Sequence, residues 1–286
     1  MQSLEENNGA MFQVASNFNG VEAISERSFP DGDYFITNYI NDNTQGPAAS
    51  ISAGGAAIAR VLLPFYNKDK DPSGWRQTSE RQVEFLEDLK EYCSVDNGYI
   101  VQNGSEAELP EDGWEFVKRV RVGVQVGAQV SFCGTNAWNQ QMTVVPAATG
   151  QRVSQAFCAA MNLSQGASGH ANAESPASAR LAALLLEGAY RGTYFAALRH
   201  KVPRLYLTLI GGGVFGNDTD AILGAVEKAH LEIACCEKNT TLQEVHLVLL
   251  NEPRGMIDFL HRLQSNGTYA EIHAYKDETR IVYKNF

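Results

Sequence analysis

Residues 205–218 read LYLTLIGGGVFGND. A short, nearly unbroken apolar run ends in three consecutive glycines, Gly211, Gly212 and Gly213, and a fourth, Gly216, follows the bulky pair Val214 and Phe215. The run has the length and composition of a buried strand. Beyond it, from about Thr219, residues Ile222, Leu223, Val226, Ala229 and Ile233 fall at helical spacing. Glycines between a strand and a helix let the backbone approach a ligand closely. The helix N-terminus behind them offers unpaired N–H groups and the positive end of a dipole. The spacing therefore predicts an anion-binding loop, although a structural turn that needs only small residues fits the same pattern.

Working outward, ASARLAALLLEGAYRGTYFAALRH (177–200) places Leu181, Leu184, Leu185, Ala189 and Phe195 at three-to-four spacing, a long amphipathic helix. EVHLVLL (244–250) predicts a further strand and RGMIDFLHRL (254–263) a further helix. Helix, strand, helix, strand, helix is the α/β signature, with parallel strands joined by crossovers.

The N-terminal half is less regular. Residues 1–28 are polar and Asn-rich, which predicts a loosely held lead-in to a single domain spanning 29–286. YFITNYI (34–40) predicts a strand, and ASISAGGAAIARVLL a glycine-rich turn followed by a helix. ERQVEFLEDLKEYC (80–93) has helical spacing of Val83, Leu86 and Leu89. From Val120 the segment VRVGVQVGAQVSF alternates strictly, so Val120, Val122, Val124, Val126, Ala128 and Val130 are expected on one buried face of a strand. MTVVPAA (142–148) predicts another strand, and the Ser-, Gln- and Gly-rich tract 149–176 a mixture of helix and loop.

Composition narrows the function. A net charge of −10 argues against a general nucleic-acid or anionic-membrane surface, both of which need clustered Lys and Arg. It leaves open a small anion held by backbone amides. Five cysteines without a Cys-x-x-Cys pair offer neither a disulfide framework nor a zinc site and fit a reducing compartment. No apolar stretch reaches membrane-spanning length, and the acidic start lacks the features of a signal peptide. The expectation is an intracellular, cytoplasmic protein that requires no metal and no cofactor.

Gly211, Gly213 and Gly216 satisfy G-x-G-x-x-G, but a dinucleotide fingerprint opens a large sheet and too little chain follows here. Glu252, the acid that closes the next strand, also lies farther along than that fingerprint requires. A Walker loop would need Lys-Ser/Thr after the last glycine.

The segment LLEGAYRGTYFAALRHKVPRLYLTLIGGGVFGNDTDAILGAVEKAH, followed by EVHLVLLNEPRGMIDFLHRL, resembles the C-terminal half of a macrodomain, the ADP-ribose-binding fold. The resemblance implies a three-layer α/β/α domain with a mixed sheet and, here, an elaborated N-terminal half whose residues 66–170 diverge from the family. It implies that Gly211, Gly212, Gly213, Val214, Phe215, Gly216 and Asn217 wrap a diphosphate, Phe215 covering the distal ribose. The second ligand loop of the family is matched more loosely by NDNTQGPAASISAGGAAIAR, which gives Asn43, Thr44, Gln45 and Gly46 as further ligand contacts. The branch resembled is one found in a bacterial effector that removes ADP-ribose from arginine of ubiquitin.

Asp218 and Asp220 follow the loop, in the first turn of the next helix. Either could simply cap that helix. As catalysts, two carboxylates beside a distal ribose would stabilise an oxocarbenium-like state, position water and pair with a guanidinium leaving group. These readings predict an ADP-ribosyl hydrolase acting on a protein side chain, arginine first, with ubiquitin a candidate carrier. The alternatives are a non-catalytic ADP-ribose or NAD-metabolite reader and a hydrolase of a free nucleotide derivative. Asp31 and Asp33 before the predicted strand are read as turn residues or adenine contacts, and 135–141 (TNAWNQQ) as a hairpin tip or partner-facing loop.

Overall fold

The computed structural model of the chain describes residues 1–23, 25–32, 39, 45–66, 70–101, 108–134, 142–164, 175–236, 241–249, 253–275 and 278–284. Its first half contains strand β1 (Met11–Ala15), helices α1 (Gln45–Ser52) and α2 (Gly54–Leu62), strands β2 (Ser94–Asp96) and β3 (Tyr99–Val101), and helix α3 (Gly113–Val117). Strands β4 (Gly123–Gln129), β5 (Phe132–Gly134), β6 (Met142–Val144) and β7 (Arg152–Cys158) follow. The remainder is helix α4 (Pro176–Arg199), strand β8 (Arg204–Leu207), helix α5 (Thr219–Cys236), strand β9 (Glu244–Leu249), helix α6 (Met256–Ser265) and the hairpin β10 (Tyr269–Tyr275) and β11 (Glu278–Lys284).

Seven strands form one mixed sheet in the order β10-β11-β9-β8-β1-β7-β4, the α/β class expected. β7, β1, β8 and β9 are parallel neighbours. β4 pairs antiparallel with β7, and β11 antiparallel with β9 and β10. Period-two alternation assigns the faces. Met11, Leu205, Leu207, Val245 and Leu247 join the core built with α4, α5 and α6. Phe12, Val14, Val153, Phe157 and Tyr206 join a second core with the segment 85–93 and Phe116. On that second face the rings of Phe12, Tyr206 and His246 stack across three adjacent strands, with centroids 4.5 Å apart at each step.

The last third forms as its periodicity dictates, with one correction. Phe195 is 49% exposed, because Thr193, Ala196 and Ala197 take the inward positions at that end of α4. Glu187 on the same helix is ion-paired with Lys228 and, at 3.8 Å, with Arg191. The terminal hairpin β10–β11 was not anticipated.

The N-terminal half departs further. Residues 1–28 are not a loose lead-in, since they contain β1, which sits between β7 and β8. Its polar Gln13 hid it. That side chain is buried, donates to Thr193 Oγ1 at 3.1 Å and accepts from the Thr208 amide at 3.2 Å. The tract 149–176 likewise contains the buried strand β7, whose Gln155 donates to Gln2 and to the Ala49 carbonyl. Residues 80–93 contain one 3-10 turn, Glu87–Leu89, instead of a helix. The Phe85 amide bonds to the Phe18 carbonyl and its carbonyl to the Arg121 amide, so tertiary pairing replaces helical bonding.

In β4 the alternation breaks at a bulge between Gln125 and Ala128, where Gly127 has φ +62°. Val126 is consequently 57% exposed while Val130 is buried. MTVVPAA forms only the short β6, paired with β5 outside the main sheet. The turn-then-helix expected after residue 45 is two consecutive helices, α1 and α2. Of the predicted strand 34–40 only Tyr39 is described; 135–141 and Asp33 lie outside the described residues. Among the described residues no helix is long and apolar enough to cross a membrane.

Candidate functional site

Three neighbouring parallel strands, β7, β1 and β8, end on the same side of the sheet. The chain passes from β1 to β7 and then back across β1 to β8, and ligands of open α/β sheets bind at such reversals, outside the carboxyl ends of the strands. An open pocket of about 130 Å³ lies there. Ala15 at the end of β1 and Ser16 after it, Ala160 after β7, and Leu209 through Gly211, Gly213, Val214 and Phe215 after β8 line it. Gly46 and Glu22 complete the wall. At this size it engulfs only part of a ligand, since sites enclosing a drug-sized molecule run to about 300–1,000 Å³.

The loop is rigid because its own bonds close it. The Asn217 amide donates to the Gly211 carbonyl (3.0 Å), Gly216 to Gly213 (3.1 Å) and Gly212 to Leu209 (3.0 Å), and the Leu163 amide ties down the Phe215 carbonyl (2.8 Å). Asn217 is buried, and its side-chain amide donates to the carbonyls of Met161 (2.8 Å) and Gly211 (3.2 Å). Gly211 has φ +77°, and a Cβ on it would lie 2.6 Å from both Ala160 Cβ and Asn217 Nδ2, so glycine is required there by the fold itself.

Other parts of the loop have no such internal purpose. The amides of Gly211, Gly213, Val214 and Phe215 donate to no acceptor among the described residues, and all four residues line the pocket. A Cβ on Gly213 would meet nothing within 4 Å. The protein's own packing therefore does not demand a glycine at 213, whereas an approaching ligand would. Phe215 is half-buried, its ring 6.1 Å from that of Tyr99.

The loop residues expected to hold ligand thus divide. Gly211, Gly213, Val214 and Phe215 face the pocket, Gly212 and Gly216 spend their amides inside the loop, and Asn217 braces it. Gly46 lines the pocket from the opposite side. Gln45 opens α1, and Asn43 and Thr44 lie outside the described residues.

The two acids expected to be catalytic are turned elsewhere. Asp218 accepts from the Ala221 amide at 2.9 Å and so caps α5. Asp220 points toward α6, where a Cβ on Gly255 would come within 2.5 Å of its carboxylate. Neither lines the pocket. Asp31 accepts from the Ser79 amide at 3.1 Å, a loop-fixing role.

Glu22 is the pocket residue that sequence reasoning missed. It is half-buried between the buried Val21 and Ala23, and that in-out alternation was the available signal inside the Asn-rich tract. Its backbone amide donates to the Tyr39 hydroxyl at 2.8 Å. Behind it lies Arg60 on α2, 6% exposed, donating to Gln155 Oε1 (3.1 Å) and resting 4.5 Å over the Phe157 ring. Burial lowers the Arg60 guanidinium from its usual range, and the Tyr39 phenol and Glu22 carboxylate act in the opposite direction. Among the described residues no group of three or more His, Cys, Asp or Glu stands together as a metal site.

Compared with family models, with curated proteins and with solved structures, the chain matches none.

Proposed function

We propose that the protein binds ADP-ribose, free or carried on a protein side chain, through its diphosphate. One observation carries this reading: Gly211, Gly213, Val214 and Phe215, whose backbone amides have no acceptor among the described residues, line a pocket at the carboxyl ends of the parallel strands. Such amides supply anion binding without basic side chains, which suits a chain with a net charge of −10. The resemblance of residues 185–230 and 244–263 to a macrodomain names ADP-ribose among diphosphates. A pocket that takes only part of its ligand is also compatible with ADP-ribose still joined to a protein.

Hydrolysis of the ADP-ribosyl bond, on arginine first, is the activity we propose for this pocket, and Glu22 is the carboxylate that lines it. A second reading, a non-catalytic reader of ADP-ribose, is favoured by the placement of Asp218 and Asp220 outside the pocket lining, Asp218 as the cap of α5.

Calorimetric titration with ADP-ribose, with Gly213→Val as the pocket-blocked control, tests the binding. Release of ADP-ribose from an arginine-modified protein separates the two readings. Absence of binding to the wild type, or binding unaffected by Gly213→Val, would overturn the assignment of the pocket. Binding without release leaves a reader.

A further inference from the structure

Glu22 is the only charged side chain among the described residues that line the pocket. A carboxylate beside an anion-binding loop is electrostatically unfavourable for a ligand that is anionic throughout. It is favourable for one that is anionic where it meets the amides and carries hydrogen-bond donors where it meets Glu22. Arg60 is buried, and the Glu22 carboxylate acts on it electrostatically, while its Nε finds no acceptor among the described residues. The position of Glu22 is also constrained, because a Cβ on Gly46 would lie 2.5 Å from its Oε1.

Building on the diphosphate-pocket reading above, we propose that Glu22 is the specificity determinant of the site. It accepts hydrogen bonds from sugar hydroxyls beyond the diphosphate and repels a free terminal phosphate. The pocket thereby takes sugar-esterified diphosphates and rejects nucleoside diphosphates that end in phosphate. A terminal phosphate brings additional negative charge and no donor to the carboxylate, whereas an esterified one brings neutral hydroxyls.

The test is equilibrium titration of ADP-ribose and of ADP, at matched ionic strength, into the wild type and Glu22→Gln. The wild type is expected to favour ADP-ribose. In Glu22→Gln the ratio of the two dissociation constants should fall by roughly tenfold or more, the loss of one charge-assisted hydrogen bond, with ADP binding as well as or better than before. Glu22→Asp keeps a carboxylate at the site. It should still reject ADP while binding ADP-ribose more weakly. An unchanged ratio in Glu22→Gln, or equal losses for both ligands in Glu22→Asp, overturns the role of Glu22 and leaves the pocket standing. A wild type that binds neither nucleotide overturns the pocket reading and this inference with it.

Discussion

The hydroxyl of Tyr190 on α4 donates to the Thr208 carbonyl at 2.6 Å and accepts from the Ile210 amide at 3.1 Å. It thus grips the chain on both sides of Leu209, just where β8 gives way to the glycine loop. Tyr190 is fully buried, and burial holds its phenol well above the usual range, so it remains a neutral donor and acceptor. The long helix therefore fixes the stem of the loop as well as the core.

Tyr190→Phe is expected to remove both bonds and leave the Ile210 amide and Thr208 carbonyl only their mutual bond of 3.0 Å, at a cost of about 0.5–1.5 kcal/mol. Thermal melting should show the loss, and calorimetry should show weaker ADP-ribose binding beyond it. Unchanged affinity would mean that the loop keeps its shape without the clamp.

Two glycines of the loop should respond oppositely. Gly211→Ala forces a side chain into the left-handed region and against Ala160 and Asn217, so stability should fall by about 1–2 kcal/mol from the backbone term alone. Gly213→Ala enters open space and should leave the melting temperature unchanged while reducing ADP-ribose affinity. Melting curves and titrations on the two variants compare them directly.

Asp218→Ala should cost roughly 1 kcal/mol as the lost cap of α5 and leave ADP-ribose affinity intact. Asp220→Ala should leave affinity intact too, since its carboxylate faces Gly255. Turnover on ADP-ribosyl-arginine that survives in both variants and is lost in Glu22→Ala would assign the acid to Glu22. Loss of turnover in either aspartate variant at full affinity would return the acid to that aspartate.

Acid should unfold the protein partly through two histidines. His230 is buried among Tyr194, Thr268 and Tyr283 and is pushed by desolvation from 6.5 to about 4. His246, stacked on Tyr206, is lowered to about 4 chiefly by the same cause, against the opposing pull of Glu244. A depressed histidine keeps its full contribution above pH 6.5 and loses it as pH falls toward 4, because the unfolded chain takes up a proton that the folded one refuses. For His230 the loss is up to about 3 kcal/mol. Denaturant unfolding measured from pH 7 to pH 4 should show that slope, and His230→Gln should flatten it.

Residues 177–263 were legible because their signals are local. Apolar residues at three-to-four spacing specify α4, α5 and α6, and two short apolar runs specify β8 and β9 wherever they pack. The glycine loop was legible for the same reason, as a strand-to-helix junction that only small residues allow.

The sheet's centre and the pocket's acid were not local facts. Strands β1 and β7 carry Gln13 and Gln155 into the core, and those read as loop residues until Thr193, Thr208, Gln2 and Ala49 arrive from distant parts of the chain to bond them. The bulge at Gly127 likewise turned a perfect alternation outward at Val126. The direction of carboxylates is decided in three dimensions as well. Asp218 and Asp220 stand next to the loop in sequence, but Asp218 caps α5 and the Asp220 carboxylate lies beside Gly255, whereas Glu22, far from the loop in sequence, is brought to the pocket. Periodicity and turn chemistry depend on neighbours along the chain. The pairing of buried polar groups depends on neighbours across it, and only the tertiary structure supplies those.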